Sequence, residues 1–213
     1  ALRSLAILGE LSGDLAERTT AFLRSRLPEP EKLIDQMSLV FGAALLDAAA
    51  GRDVYGSAGD RWKDAFAIRL QALRRKDGGF AKGPGGAASS TYYTFLALLC
   101  LELIDRRLDD HSGIVDFIMS QRAELGGFRE IRAAKSAGTN PTAAAIGVLR
   151  MLDALDDDVR HSTAEFLADM QDDDGGLLAN SRIPLADILS TFTGILTLDD
   201  LDLMQTIDIA DAL

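Results

Sequence analysis

Five basic side chains gather on glycine-rich stretches of a chain that is otherwise strongly acidic. Lys82 follows one Gly-Gly pair, Arg129, Arg132 and Lys135 follow a second, and Arg182 follows a third. Against a net charge of −11 over 213 residues, this is a local reversal of sign. Cations beside the start of a helix suit an anion such as a diphosphate, because the free backbone N–H groups there already favour negative charge. Tyr92, Tyr93, Phe95 and Phe192 stand a short way downstream of the same stretches and would line an apolar slot below. The same residues also serve as ordinary loop charges and core aromatics, so the pattern defines candidates rather than a site.

The elements that must position these candidates are repeated. Lys76-Asp77-Gly78-Gly79-Phe80, Glu124-Leu125-Gly126-Gly127-Phe128 and Asp173-Asp174-Gly175-Gly176-Leu177 share one loop signature, with first glycines at 78, 126 and 175. A period of 48 to 49 residues marks a supersecondary unit that buries its apolar face only against its neighbours. Downstream, Thr91–Leu98 can be laid over Thr142–Leu149 and Thr191–Leu198. That places Phe95, Leu98 and Leu101 at helical spacing, matched by Ile146, Leu149 and Leu152 and by Ile195, Leu198 and Leu201. Acidic turns close the units at Asp109-Asp110, Asp156-Asp157-Asp158 and Asp199-Asp200. The glycines allow positive φ and close backbone approach, and the aromatic or Leu after them plugs the gap between hairpins.

The expected architecture is all-α: one domain over residues 1–213, a repeat of about four helical hairpins. Its loops lie near 26–32, 76–86, 124–135 and 173–183, and the first has lost its glycines, as terminal repeats often do.

At these residues the chain resembles a known family. Gln171-Asp172-Asp173-Asp174-Gly175-Gly176-Leu177 is similar to the Q-x-x-D-G-x-W loops of terpenoid cyclases. Asp77-Gly78-Gly79-Phe80 with Thr91-Tyr92 downstream looks like the D-G-G-F/L loops and T-Y-headed helices of protein prenyltransferase β subunits. The resemblance implies an α/α toroid, here a partial or open ring, with inner helices heading toward a central cavity. It implies an isoprenoid diphosphate as the ligand, held by Lys82, Arg129, Arg132, Lys135 and Arg182, with Tyr92, Tyr93 and Phe192 along the isoprenoid.

Zinc is expected of the transferases, held by the Asp and Cys of a D-x-C-Y segment and a His from a later repeat. Three protein ligands and one open position let the metal keep a substrate thiolate deprotonated. Here Asp187-Ile188-Leu189 keeps the Asp but has Leu in the Cys slot, Ser89-Ser90-Thr91 has neither ligand, and His111 and His161 fall beside acidic turns. No cofactor is therefore evident, and no catalytic residue is assigned. Asp153-Ala154-Leu155-Asp156-Asp157-Asp158 and Asp199-Asp200-Leu201-Asp202 superficially resemble acidic cyclase motifs but occupy the periodic turn.

The acidic surface excludes nucleic acid as a partner, and no apolar run is long enough for a membrane span. The single Cys100, in an apolar run, fits a reducing, cytoplasmic setting. Besides a prenyltransferase-like, isoprenoid-binding protein, the sequence admits a non-catalytic helical repeat scaffold. Its terminal hairpins, 1–27 and 184–213, would meet a protein partner or a second copy, the amphipathic stretch 201–213 contributing.

Overall fold

The computed structural model describes residues 2–28, 33–108 and 110–208. The expected loop slot at 29–32, Asp109 of the first acidic turn, and the last five residues of the stretch 201–213 lie outside the described residues. Nine α-helices are described: α1 Leu2–Ile7, α2 Gly13–Arg26, α3 Leu33–Ala50, α4 Gly59–Gln71, α5 Thr91–Leu103, α6 Ile114–Ser120, α7 Thr139–Met151, α8 Asp157–Ala168 and α9 Ile188–Asp200. The protein is an all-α helical repeat. Among the described residues the only strands are two dipeptides, β1 Phe80–Ala81 and β2 Ser89–Ser90, paired antiparallel inside the first glycine loop.

The chain forms two compact units, one of residues 1–73 and 96–109, the other of residues 74–95 and 110–213. In the first, α1 and α2 pack on α3 around Leu11, Ala16, Leu23, Ala43 and Leu46. Trp62 stacks on Phe66 and donates its indole N–H to the Leu27 carbonyl. In the second unit, α7 packs against α9, and Phe166, Leu167, Leu177 and Leu198 form the core beside them.

A single hydrogen bond reveals the repeat. The N–H of Phe80 donates to Thr94 Oγ1 at 2.9 Å, that of Phe128 to Thr142 Oγ1 at 2.8 Å, and that of Leu177 to Thr191 Oγ1 at 2.9 Å. The residue after each Gly-Gly pair is thus pinned to the helix fourteen positions on, and all three of its side chains are fully buried. This corrects the sequence alignment. Thr94, not Thr91, is the counterpart of Thr142 and Thr191, and the hydrophobic series shifts with it to Leu98, Leu101 and Ile104. Aligning on the Thr-Tyr pair misplaced the register by three residues, nearly one helical turn, which leaves hydrophobic periodicity almost unchanged.

A second repeated feature escaped the sequence. Asp105, Asp153 and Asp202 take left-handed backbone conformations with φ of 54°, 50° and 54°. The following N–H reaches back to the helix five residues earlier, Arg106 to Leu101, Ala154 to Leu149 and Leu203 to Leu198. This is the Schellman ending, usually made with glycine, and aspartate is among the few other residues that tolerate it.

The glycine pairs are demanded by space. A Cβ on Gly126 would strike the Ser162 carbonyl, and one on Gly127 would fall 2.6 Å from the Phe166 ring. Phe166 itself is a buried outer-helix residue. The acidic turns are structural too: Asp156 caps α8 by accepting from the Val159 N–H at 2.8 Å, Asp158 pairs with Arg122 at 2.7 Å, and Asp200 with Arg150 at 2.5 Å.

Candidate functional site

The helix heads of α5, α7 and α9 begin at equivalent positions, Ser90, Gly138 and Asp187, spaced by the repeat. What stands there differs, and so does each head. At α5, Ser90 Oγ accepts from the Tyr93 N–H at 3.1 Å, and the next loop adds to this local cap: Ser90 Oγ and the Tyr92 N–H both donate to the Glu130 carboxylate. Burial nonetheless outweighs these bonds and pushes the Glu130 carboxyl above its ordinary range. At α9, Asp187 accepts from the Ser190 N–H at 2.9 Å and from its hydroxyl at 2.7 Å, which hold its carboxyl below the usual range. At α7, Gly138 has no side chain to cap with, and the Thr139 N–H goes to the Ala179 carbonyl of the next loop at 3.0 Å.

Next to the head of α7 is a cavity of about 560 Å³ lined by Glu130, Lys135, Gly138, Asn140, Asn180 and Arg182, among others. It unites two of the basic candidates, Lys135 from the second loop and Arg182 from the third, with the first turn of α7. An ammonium and a guanidinium converging on one space can bind a polyanion; of the N–H groups at the α7 head, that of Thr139 is given to the Ala179 carbonyl and Pro141 has none, so the helix end adds at most the Asn140 N–H. Glu130 is the one acidic lining residue.

The other candidates are distributed elsewhere. Tyr92 and Tyr93 sit together on the first turn of α5, rings edge to face at 5.8 Å. Burial, then Tyr93 and Glu130, raise the Tyr92 phenol. Phe192 lines a different cavity, about 620 Å³, with Asp172, Asp174, Leu185, Asp187, Ile188 and Ile195. That space is acidic at its rim and apolar within, the opposite of the first. Lys82, Arg129 and Arg132 line neither; Arg129 contributes its carbonyl, which accepts from Thr91 Oγ1 at 2.6 Å. Glu130, Asn140 and Asn180 were missed from sequence, because a helix capped by a residue forty positions away leaves no local motif.

The described residues at the slots considered for zinc are engaged otherwise. Asp187 is committed to its helix cap, position 189 carries an exposed Leu, and Cys100 is buried with its thiol pushed up to about 12 by desolvation. His161 is exposed and its Nδ1 lies 2.7 Å from the Asp157 carbonyl. Among the described residues no group of three His, Cys, Asp or Glu side chains could hold a metal ion. No helix among them is long and apolar enough to cross a membrane.

A helical repeat with glycine-hairpin loops at inner-helix heads is the build of an α/α toroid protein. The chain belongs to the prenyltransferase alpha-alpha toroid domain family, whose pattern it matches over residues 39–213, from within α3 onward. Among solved structures it is similar to Candida albicans protein geranylgeranyltransferase-I complexed with GGPP, at TM-score 0.57 and 15% identity. That match covers 76% of this chain and 48% of the other, so the chain spans about half the length of that relative. No curated protein matches it.

Proposed function

We propose that this prenyltransferase-related chain binds an isoprenoid diphosphate, with the diphosphate at the head of α7 and no protein-bound zinc. The observation that carries the reading is the convergence of Lys135 and Arg182 on one cavity at the head of α7. Asn140 and Asn180 add neutral polar groups to the same wall. The related transferase was solved with GGPP, which supports the ligand class. Tyr92 and Tyr93, on the head of the preceding inner helix, are assigned to the isoprenoid. The head of α7 has no side-chain cap, whereas a carboxylate stands at the head of each of its two equivalents. A cytoplasmic setting, where buried Cys100 stays reduced, belongs to the same reading.

Calorimetric titration of the chain with geranylgeranyl diphosphate tests this, with zinc and with chelator. Micromolar binding is expected under both conditions. Replacing Lys135 and Arg182 together with alanine should weaken it by about tenfold or more. Absence of heat would overturn the ligand assignment, and zinc-dependent binding would overturn the metal-free reading.

A further inference from the structure

Glu130 belongs to two places at once. Its carboxylate accepts from the Ser90 hydroxyl and the Tyr92 N–H at the head of α5, and the residue lines the cavity at the head of α7 with Lys135 and Arg182. Both of its partners are neutral donors, and among the described residues no cation forms an ion pair with it. Every other residue lining the cavity is uncharged, so the space offers an incoming ligand two cations and one carboxylate. The surrounding charged and titratable groups are few. The second loop carries Arg129, Arg132 and Lys135, and the third brings Arg182. The head of α5 brings the phenols of Tyr92 and Tyr93, the first of them held above its ordinary range by burial and therefore neutral. The first turn of α7, Thr139-Asn140-Pro141-Thr142, brings none.

We propose that this cavity takes up its polyanion together with a proton from solvent, and that the proton goes to the Glu130 carboxylate. The inference rests on the diphosphate reading above and adds a protonation step to it. A space of about 560 Å³ is on the order of 10 Å across, about one Debye length at 0.1 M salt, so salt screens the ligand from Glu130 only in part. Two negative charges in one site favour the neutral form of a group that can accept a proton. Glu130 can accept one without releasing the head of α5, because a carboxylic acid keeps acceptor capacity for the Ser90 hydroxyl and the Tyr92 N–H. Burial already pushes the carboxyl above its ordinary range, the direction that eases the step. A bound anion raises it further, which fixes the sign of the pH dependence. Affinity is greatest below the value of the free chain, where the carboxyl is neutral with or without ligand. It declines as pH rises through that value to the ligand-bound one. The proton leaves again when the ligand does.

Calorimetric titration of the whole chain with inorganic diphosphate, from about pH 5 to about pH 8, compares the parent with Glu130→Gln. The amide keeps an oxygen for Ser90 and Tyr92 and removes the charge. Ionisation of diphosphate itself acts on both proteins alike, so the ratio of their affinities is the readout. The variant should bind about three- to tenfold more tightly near pH 8, a coupling of up to one pKa unit, and the two should converge toward pH 5. The parent alone gives a second reading that needs no variant. Titrated near pH 6 in two buffers of unlike ionisation heat, it should show net proton uptake, whereas cations alone would draw protons off diphosphate. A ratio that stays constant with pH, tighter binding by the parent, or net proton release would overturn the inference and leave the diphosphate reading standing. No binding by either protein at any pH would overturn the diphosphate reading, and the proton step with it.

Discussion

The heads of α7 and α9 are built on one frame and have opposite character. Both follow a Gly-Gly hairpin, and both receive the N–H of the residue after it on a threonine hydroxyl, Thr142 or Thr191. Yet α7 opens onto a space lined by Lys135 and Arg182, whereas α9 opens onto one rimmed by Asp172, Asp174 and Asp187. The difference traces to the position just before the helix, Gly138 against Asp187. A repeat can therefore hold its architecture with one set of residues and vary its chemistry with another. The exchange is not free in both directions. A Cβ at position 138 would lie 2.9 Å from the Ala179 carbonyl, so the head of α7 cannot acquire its own cap without backbone movement.

The common frame is the part whose loss should cost most. Thr142→Val removes the hydroxyl from a fully buried site and orphans the Phe128 N–H, for an expected loss of about 2 to 3 kcal/mol by urea denaturation. Thr191→Val should cost less, because Thr191 is only half-buried. Equal costs would show that the two heads are not burying the same bond.

The variable position comes next. Asp187→Ala should destabilise by about 1 kcal/mol at neutral pH, the usual worth of a helix cap. Since its hydrogen bonds to Ser190 lower the folded-state pKa, that contribution is present above the unfolded carboxylate value of about 4. It fades as pH falls through the folded value, so variant and parent should converge in acid. Asp187→Asn should keep most of the cap and lose its pH dependence. A difference between Asp187→Ala and parent that persists unchanged in acid would exclude the carboxylate as its source.

The smallest effect is expected at the far end of the same helices. Asp153→Gly replaces a left-handed aspartate with the residue that conformation favours, for a gain of about 0.5 to 1 kcal/mol. The equivalent change at Asp202 should match it, since both helices end alike.

Much of the frame was legible in the sequence, and the reason is spacing. Glycines that collide with a carbonyl or a ring recur at 48 and 49 residues because nothing larger fits, and they identified the unit and the family. The register within the helices was not legible. Thr91 and Thr94 are both threonines near a helix start, and only the bond to Phe80 shows which one repeats. The basic candidates were found by type, and type does not say which of them share a space: Lys135 and Arg182 line the cavity at the head of α7, and Lys82, Arg129 and Arg132 do not line it. Glu130 was invisible: its work is done on a helix that begins forty residues earlier.

The bonds from Thr91 to Arg129 and from Thr139 to Leu178 all run one way, each repeat leaning on the one that follows. Such an array has a direction as well as a period. A strand of knitting pulled from one end unravels row by row, and from the other end it locks. Backbone amides at the head of α9, where Ile188 carries no hydroxyl for such a bond, should exchange with solvent faster than those at the head of α7, where Thr139 makes one.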